Sequence, residues 1–150
     1  MSHSYASNRL HLIFSTKNRE KRISADLQTK LWPYVAGIAR NHGCEAIKVG
    51  GVEDDVHALL LLPPTIPLAK AVQVLKACSS KWINEENAAG KDFAWQEGYG
   101  AFSVSASQTE GVIRYIERQA AHHAKRSYED EFIEFLKRHR VEYDPKHVLG

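Results

Sequence analysis

Long apolar runs, paired cysteines and an excess of one charge are all missing from this sequence of 150 residues. The longest apolar run, Ala58 to Pro64, is far shorter than the roughly 18 residues that a membrane helix needs. Cys44 and Cys78 stand far apart, which favours reduced thiols in a cytoplasmic protein over a disulfide framework or a zinc site. Basic and acidic residues number 20 and 18, so any surface that binds phosphates has to be local.

The composition that remains is typical of a folded domain. Hydrophobic residues make up 43% of the chain and charged residues 25%, close to the averages of globular proteins. No repeat or linker divides the sequence, so residues 1–150 are interpreted as a single domain with its own core. The first residues carry no apolar stretch, and no signal peptide is expected.

Apolar patterning predicts strands and helices in the order β-α-β-β-α-β, followed by further helices. Ser24 and Gly43 have the residue types that cap the two ends of the first helix, and Pro67 suits the start of the second. The predicted strands lie at 10–16, 44–49, 55–62 and within 93–104, and the later helices at 107–126 and after Ser127. This order predicts an α+β, ferredoxin-like (split βαβ) fold, an antiparallel sheet with helices on one face and extra C-terminal helices. Because that fold serves many functions, it does not decide the chemistry.

Two polar residues on the third predicted strand form the first candidate site. Asp55 and His57 are two positions apart, so their side chains point to the same face of the sheet. A carboxylate beside an imidazole can supply two ligands to a divalent metal ion. A solvated strand end with one packed histidine explains an isolated pair of this kind more simply, and both interpretations stay open.

The third predicted helix carries the second candidate site. Tyr115 and Gln119 are four positions apart and can meet the same ligand. A half-buried tyrosine beside a solvated glutamine is the simpler explanation of the pair taken alone. Tyr99, in a loop that contains two glycines, is a rival nucleophile. The helical pattern also places His122 and His123 near the Tyr115 side.

Basic side chains offer a candidate DNA-binding surface. Lys70, Lys76 and Lys81 lie on the second predicted helix, and Arg126 lies at the end of the third. Such positions can contact phosphates, although a solvated helix face is the usual explanation.

Five segments then point, in order, to one family: HLIFSTKNRE, GGVEDDVHALLLLPP, AVQVLKACSSKWINE, WQEGYGAFSVS and VIRYIERQAAHHAKRSYEDEF. Together they resemble the single-tyrosine HUH transposases of small bacterial insertion sequences, the 200-like group, and their relatives that act on repetitive palindromic elements. The resemblance spans nearly the whole chain and implies a ferredoxin-like fold.

The resemblance implies an enzyme that nicks and rejoins single-stranded DNA at hairpin ends. A tyrosine attacks the scissile phosphate, forms a 5′-phosphotyrosine and leaves a 3′-hydroxyl, with a divalent Mg²⁺ or Mn²⁺ as cofactor. Tyr115 matches the nucleophile, and His57 and Gln119 match metal ligands. The motif has a histidine where this chain has Asp55, whose carboxylate is also a good ligand for these ions. The resemblance further implies a homodimer, in which each tyrosine helix can face the metal site of its partner.

Three functions stay open on the sequence alone. The first is an active DNA strand transferase, which Tyr115 and Gln119 favour. The second is a catalytically weakened relative that acts as a hairpin DNA-binding protein, which Asp55 favours. The third, a small metal-binding or ligand-binding ferredoxin-like domain, leaves the five matched segments unexplained.

Overall fold

A computed structural model describes residues 4–123 and 125–149, with side chains for all of them except His122 and His123. Its main elements follow the predicted order, which confirms the α+β class. They are β1 (Arg9–Ser15), α1 (Ala25–Asn41), β2 (Glu45–Gly51), β3 (Asp55–Leu61), α2 (Leu68–Glu85), β4 (Gly100–Ser103), α3 (Thr109–Glu117), α4 (Gln119–His123) and α5 (Tyr128–Arg138).

The four strands form one antiparallel sheet in the order β2-β3-β1-β4. This is the arrangement of a ferredoxin-like fold, with the first and third strands at the centre. Along the central pair, Ile13 lies opposite His57 and His11 lies opposite Leu59. Because directly opposed residues share a face, this register places His11, Ile13, His57 and Leu59 on one side of the sheet.

Helices cover both faces of the sheet. On the first face, α1 and α2 enclose the main core, to which β1 contributes Leu12 and Phe14. On the second face, Ile13 packs with aromatic residues of α5, and Leu59 packs with Ile116 of α3. The extra C-terminal helices therefore close the face that carries the polar residues of β1 and β3.

Local signals set several boundaries as predicted. The Ser24 hydroxyl accepts a hydrogen bond from the Leu27 amide at 3.2 Å and caps α1. Gly43 follows the helix at φ +82°, where a side chain would be strained, and its amide donates to the Arg40 carbonyl at 3.0 Å. α2 begins directly after Pro67.

Two predicted elements were wrong in extent. The fourth strand spans only Gly100–Ser103, and Trp95 makes an isolated bridge to Thr16 instead of extending it. The predicted helix over 107–126 is divided at Arg118, whose amide donates to the carbonyls of both Arg114 and Tyr115. No glycine or proline marks this break. Glu117 and Arg118 are exposed there, whereas Ile116 and Gln119 are buried, and no local signal in the sequence predicts the break.

The two remaining sequence expectations concern the cysteines and the membrane. Cys44 and Cys78 are both free thiols, in agreement with the prediction that they form no disulfide. Within the described ranges, no helix combines the length and the apolar character that a membrane crossing requires.

Close contact between α3 and the sheet gives a test of this packing. A Cβ added at Gly50 would lie 2.7 Å from Ile116 Cγ2, so we expect Gly50→Ala to lower the free energy of unfolding by about 1–3 kcal/mol. Gly37→Ala is the control, because its Cβ would meet nothing within 4 Å and alanine stabilises a helix interior by roughly 0.5–1 kcal/mol. Urea unfolding at equal m-value measures both variants. Equal stability of Gly50→Ala and the parent would show that α3 does not pack on β2 in this way.

Candidate active site

Asp55 and His57 lie fully buried on the second face of the sheet, both at 0% exposure. His57 Nε2 is 3.7 Å from Asp55 Oδ2. The other carboxylate oxygen, Oδ1, accepts a hydrogen bond from the Val52 amide at 3.1 Å, which fixes the Asp55 side chain at the start of the strand. The interpretation of this pair as a solvated strand end is therefore wrong, and the expectation that both side chains share a face is confirmed.

Glu131 of α5 completes the group, and the sequence analysis missed it. Glu131 is only 2% exposed, and its Oε1 lies 3.1 Å from His57 Nε2. Its other oxygen, Oε2, accepts a short hydrogen bond from the Tyr115 hydroxyl. One carboxylate thus joins the strand histidine to the helix tyrosine. A signal was present in the sequence: Glu131 stands three positions after Tyr128 and four before Phe135, on the apolar side of the helix.

The three buried groups meet the geometric needs of a metal site. One ligand atom from each of Asp55, His57 and Glu131 lies within 4.8 Å of the other two. Two carboxylates and one imidazole suit Mg²⁺ or Mn²⁺. Gln119, a predicted ligand, lies beside this group: its Nε2 donates to the Tyr115 carbonyl at 3.3 Å. Its Oε1 is buried and has no hydrogen-bond partner within the described part of the chain, which makes this oxygen a further candidate ligand.

Burial and the nearby charged groups shift the pKa values of the titratable side chains in this site. Burial lowers the pKa of His57, but Asp55 and Glu131 together raise it to about 9, which favours the protonated ring at neutral pH. Burial and the neighbouring Glu131 raise the pKa of Tyr115 above its ordinary value, which keeps the phenol protonated. Burial and the nearby His57 lower the pKa of His11, which stays neutral.

His11 of β1 extends the group, and it too was not predicted. Its Nε2 lies 2.8 Å from His57 Nδ1, and its side chain is 2% exposed. The ring centroids of the two histidines are 5.0 Å apart. His57 is therefore contacted through both of its nitrogens, by His11 on one side and by the carboxylates on the other.

A cleft of about 570 Å³ opens beside Tyr115. Basic side chains at its walls give it a surface that can attract phosphate. Its lining includes His11, Arg114, Tyr115, Phe135, Arg138 and His139.

The structure separates the predicted DNA-binding residues. Lys70 and Lys81 are exposed on α2, which covers the opposite face of the sheet from Tyr115. Lys76 is half-buried, and its ammonium donates to three consecutive carbonyls of residues 96–98. Burial lowers the pKa of Lys76 to about 8. This ammonium stabilises a loop, and its three hydrogen bonds take up the donors that a phosphate contact would need.

Arg126 is the member of the predicted DNA-binding set that lies on the Tyr115 side. Its guanidinium pairs with Glu134 and donates to the Asp130 carbonyl at 3.3 Å. Tyr99, the rival nucleophile, instead lies near Lys76, whose Nζ is 5.8 Å from the Tyr99 ring centroid. The side chains of His122 and His123 lie outside the described residues.

Comparison with known proteins identifies a family and relatives of the same fold. The family described as "Transposase IS200 like" matches residues 4–119. A candidate transposase from Deinococcus radiodurans R1, solved by crystallography, is 25% identical and superposes with a TM-score of 0.61 over 79% of this chain and 96% of that one.

A second solved structure, a REP-associated tyrosine transposase bound to a REP hairpin, shares the fold with a TM-score of 0.59 at 12% identity. The similarity covers 82% of this chain and 73% of that chain. None of the curated proteins matches the sequence. Since the family match extends over most of the sequence, the chain belongs to the IS200-like transposase family.

Proposed function

We propose that this transposase nicks and rejoins single-stranded DNA at hairpin ends, with Tyr115 as the nucleophile. One observation carries the proposal: the Tyr115 hydroxyl is hydrogen-bonded to Glu131, whose other oxygen contacts His57 beside Asp55. A nucleophile and three groups able to hold a metal are thus assembled in one buried site. The solved relative bound to a REP hairpin supports a hairpin as the class of DNA.

The reaction follows from the position of the phenol. The Tyr115 oxygen attacks the scissile phosphorus, the bond from phosphorus to the 3′-oxygen breaks, and a 5′-phosphotyrosine remains. Glu131 Oε2 already accepts the hydrogen bond of the phenol and is placed to take its proton, while the departing 3′-oxygen takes a proton from solvent. In the reverse direction the 3′-hydroxyl attacks the phosphotyrosine and reseals the strand without an external energy source.

Asp55, His57 and Glu131, with Gln119 beside them, would hold Mg²⁺ or Mn²⁺. When bound, the ion stabilises the charge that develops on the phosphate oxygens. The protein's contribution is a rigid, dry set of ligands, because Asp55 and His57 are both fully buried on a central strand. Asp55 keeps a ligand role in this proposal, with a shorter side chain and an added negative charge compared with the histidine of the motif.

DNA would approach through the cleft beside Tyr115. Arg114 and Arg138 line this cleft, and Arg126 lies on the same side of the sheet, so we assign them phosphate contacts near the cut. Lys70 and Lys81, on the far face, would contact more distant parts of the DNA. The second candidate function, hairpin binding without cleavage, rests on one observation, the presence of Asp55 at the motif position.

The resemblance implies a homodimer with a site shared between chains, and we retain dimerisation as a proposal. A second chain is not needed to bring these residues together, however. Tyr115 and Glu131 contact each other within one chain, and Glu131 contacts His57 of that chain. Nucleophile and ligands therefore act in cis in the proposed mechanism.

Tyr115→Phe removes the attacking oxygen and keeps the ring. We expect its covalent adduct with labelled single-stranded hairpin DNA in Mn²⁺ to fall below detection on a denaturing gel. Hairpin affinity should stay within about twofold of the parent, because one hydroxyl is a small part of a DNA interface. Tyr99→Phe is the matched control and should form the adduct at the parental level. An adduct with Tyr115→Phe would transfer the nucleophile to another tyrosine, and its absence in the parent as well would favour the binding function.

Asp55 variants test the departure from the motif. Asp55→His should raise nicking in Mn²⁺, because ligand position is strict in phosphoryl transfer, where a misplacement of about 1 Å can cost a hundredfold. Asp55→Ala should weaken Mn²⁺ binding by at least about tenfold, as losing a ligand costs no less than losing a group that supports one. Asp55→Asn is the control for structure, because its amide oxygen can still accept the Val52 hydrogen bond. If Asp55→His is no more active and Asp55→Ala binds Mn²⁺ like the parent, Asp55 has no part in the site.

Mixing two inactive variants separates a site in cis from a shared one. Tyr115→Phe lacks the nucleophile, and His57→Ala lacks a ligand. In cis, every chain of the mixture stays defective, so we expect no adduct above that of each variant alone. Recovery of adduct toward about a quarter of the parental level, the largest share that random exchange of subunits allows, would show that the tyrosine of one chain serves the metal site of another. Light scattering of the mixture reports whether dimers are present.

A further inference from the structure

We propose that His11 is a positioning residue, which accepts a hydrogen bond from His57 Nδ1 and so leaves His57 Nε2 available as a metal ligand. The inference rests on the proposed function, since it assumes that His57 holds the ion. It concerns a residue of β1, outside the motif that supplies the ligands.

The sheet itself creates the contact. In the antiparallel pairing of β1 with β3, Ile13 lies opposite His57, and His11 is two positions further along β1 on the same face. Diagonal neighbours of this kind are within reach when their side chains are long. The two rings meet at 2.8 Å between His11 Nε2 and His57 Nδ1, with both side chains buried.

Proton counting fixes the direction of this hydrogen bond. A bond between two ring nitrogens needs one N–H and one lone pair. His57 can bind an ion through Nε2 only if that nitrogen carries no proton, so the proton of the neutral ring must stay on Nδ1. His11 Nε2 must then supply the lone pair, and the proton of His11 must lie on its own Nδ1. The opposite arrangement would place the His57 proton on Nε2 and block the ligand.

The two ring nitrogens of His57 face different groups. Nε2 lies 3.1 Å from Glu131 Oε1, on the side of the carboxylates, and Nδ1 lies 2.8 Å from His11 Nε2. An ion held at Nε2 leaves the contact of Nδ1 with His11 in place. His11 therefore holds the ring in one orientation before and after an ion binds, which reduces the reorganisation that binding requires.

Packing holds His11 in turn. Its ring meets Phe135 edge-on at a centroid distance of 5.2 Å and Tyr115 at 6.1 Å. Phe135 belongs to α5, the helix that supplies Glu131, so the support of His57 and the third ligand are positioned by the same helix. A purely structural residue at this buried strand position would be expected to be apolar, like Ile13 beside it.

Two substitutions at this position distinguish positioning from packing. His11→Gln keeps an acceptor near the place of Nε2, whereas His11→Leu fills similar space without one. We expect His11→Leu to bind Mn²⁺ about 10–100-fold more weakly, as for other groups that orient a ligand, and His11→Gln to stay within about fivefold of the parent. Electron paramagnetic resonance of free Mn²⁺ measures the affinity, and urea unfolding confirms that both variants fold.

Imidazole ¹⁵N spectra of the parent, with Mg²⁺ as a diamagnetic probe, give a readout independent of activity. The inference requires that, in the Mg²⁺ form, His57 carries a proton on Nδ1 and none on Nε2. Parental Mn²⁺ affinity in His11→Leu, equal losses in both variants, or a proton on His57 Nε2 in the Mg²⁺ form would each overturn it. A parent that binds Mn²⁺ as expected but forms no DNA adduct would instead count against the proposed function and leave the role of His11 intact.

Discussion

Glu131 is a buried acid on the apolar side of α5, and the second face of the sheet is organised around it. A buried carboxylate without partners would be strongly destabilising, so the helix can dock only where partners exist. His57 on β3 and Tyr115 on α3 are those partners. Their hydrogen bonds tie β3 and α3 to one side chain of α5, and the aromatic residues of α5 fill the space around it. The same contacts bring Tyr115, the proposed nucleophile, next to the candidate metal-ligating groups.

The sheet provides a second constraint, because strand pairing decides which polar residues can meet. The register of β1 against β3 sets His11 near His57 and leaves Leu12 and Phe14 for the opposite core. A slip of one residue would move every side chain of a strand to the other face, and the polar residues of the site would no longer lie together. Stability and function therefore depend on the same backbone pairing, and the large apolar core beneath α1 and α2 maintains the geometry of the polar group above it.

Much of this arrangement can be predicted from local sequence. Ser24, Gly43 and Pro67 mark helix ends through their own backbone chemistry, and the alternation of side chains on a strand places Asp55 and His57 together. The family resemblance singles out Tyr115. Glu131 could not be placed, because nothing local fixes where α5 docks, and it also lies beyond the part of the chain that the family match covers. His11 was missed for a related reason, because its contact with His57 depends on the register of β1 against β3.

The contacts of basic residues also depend on the tertiary structure. The sequence pattern put Lys76 among the phosphate contacts, yet it stabilises the loop over residues 96–98, because a lysine on a half-buried helix face reaches whatever acceptors the tertiary structure offers. The break at Arg118 is another feature without a local signal, because the sequence pattern predicts one helix where the structure has two. Charge and periodicity describe each element well, but they carry little information about contacts between elements.

The position of α5 along the chain has a consequence for protein synthesis. The ribosome makes β1, β3 and α3 before it makes Glu131, and domains begin to fold as they emerge. During that interval His57 and Tyr115 are present without the carboxylate that joins them. A nascent chain thus contains the proposed nucleophile before it contains the third candidate ligand, so the order of translation itself delays completion of the proposed site.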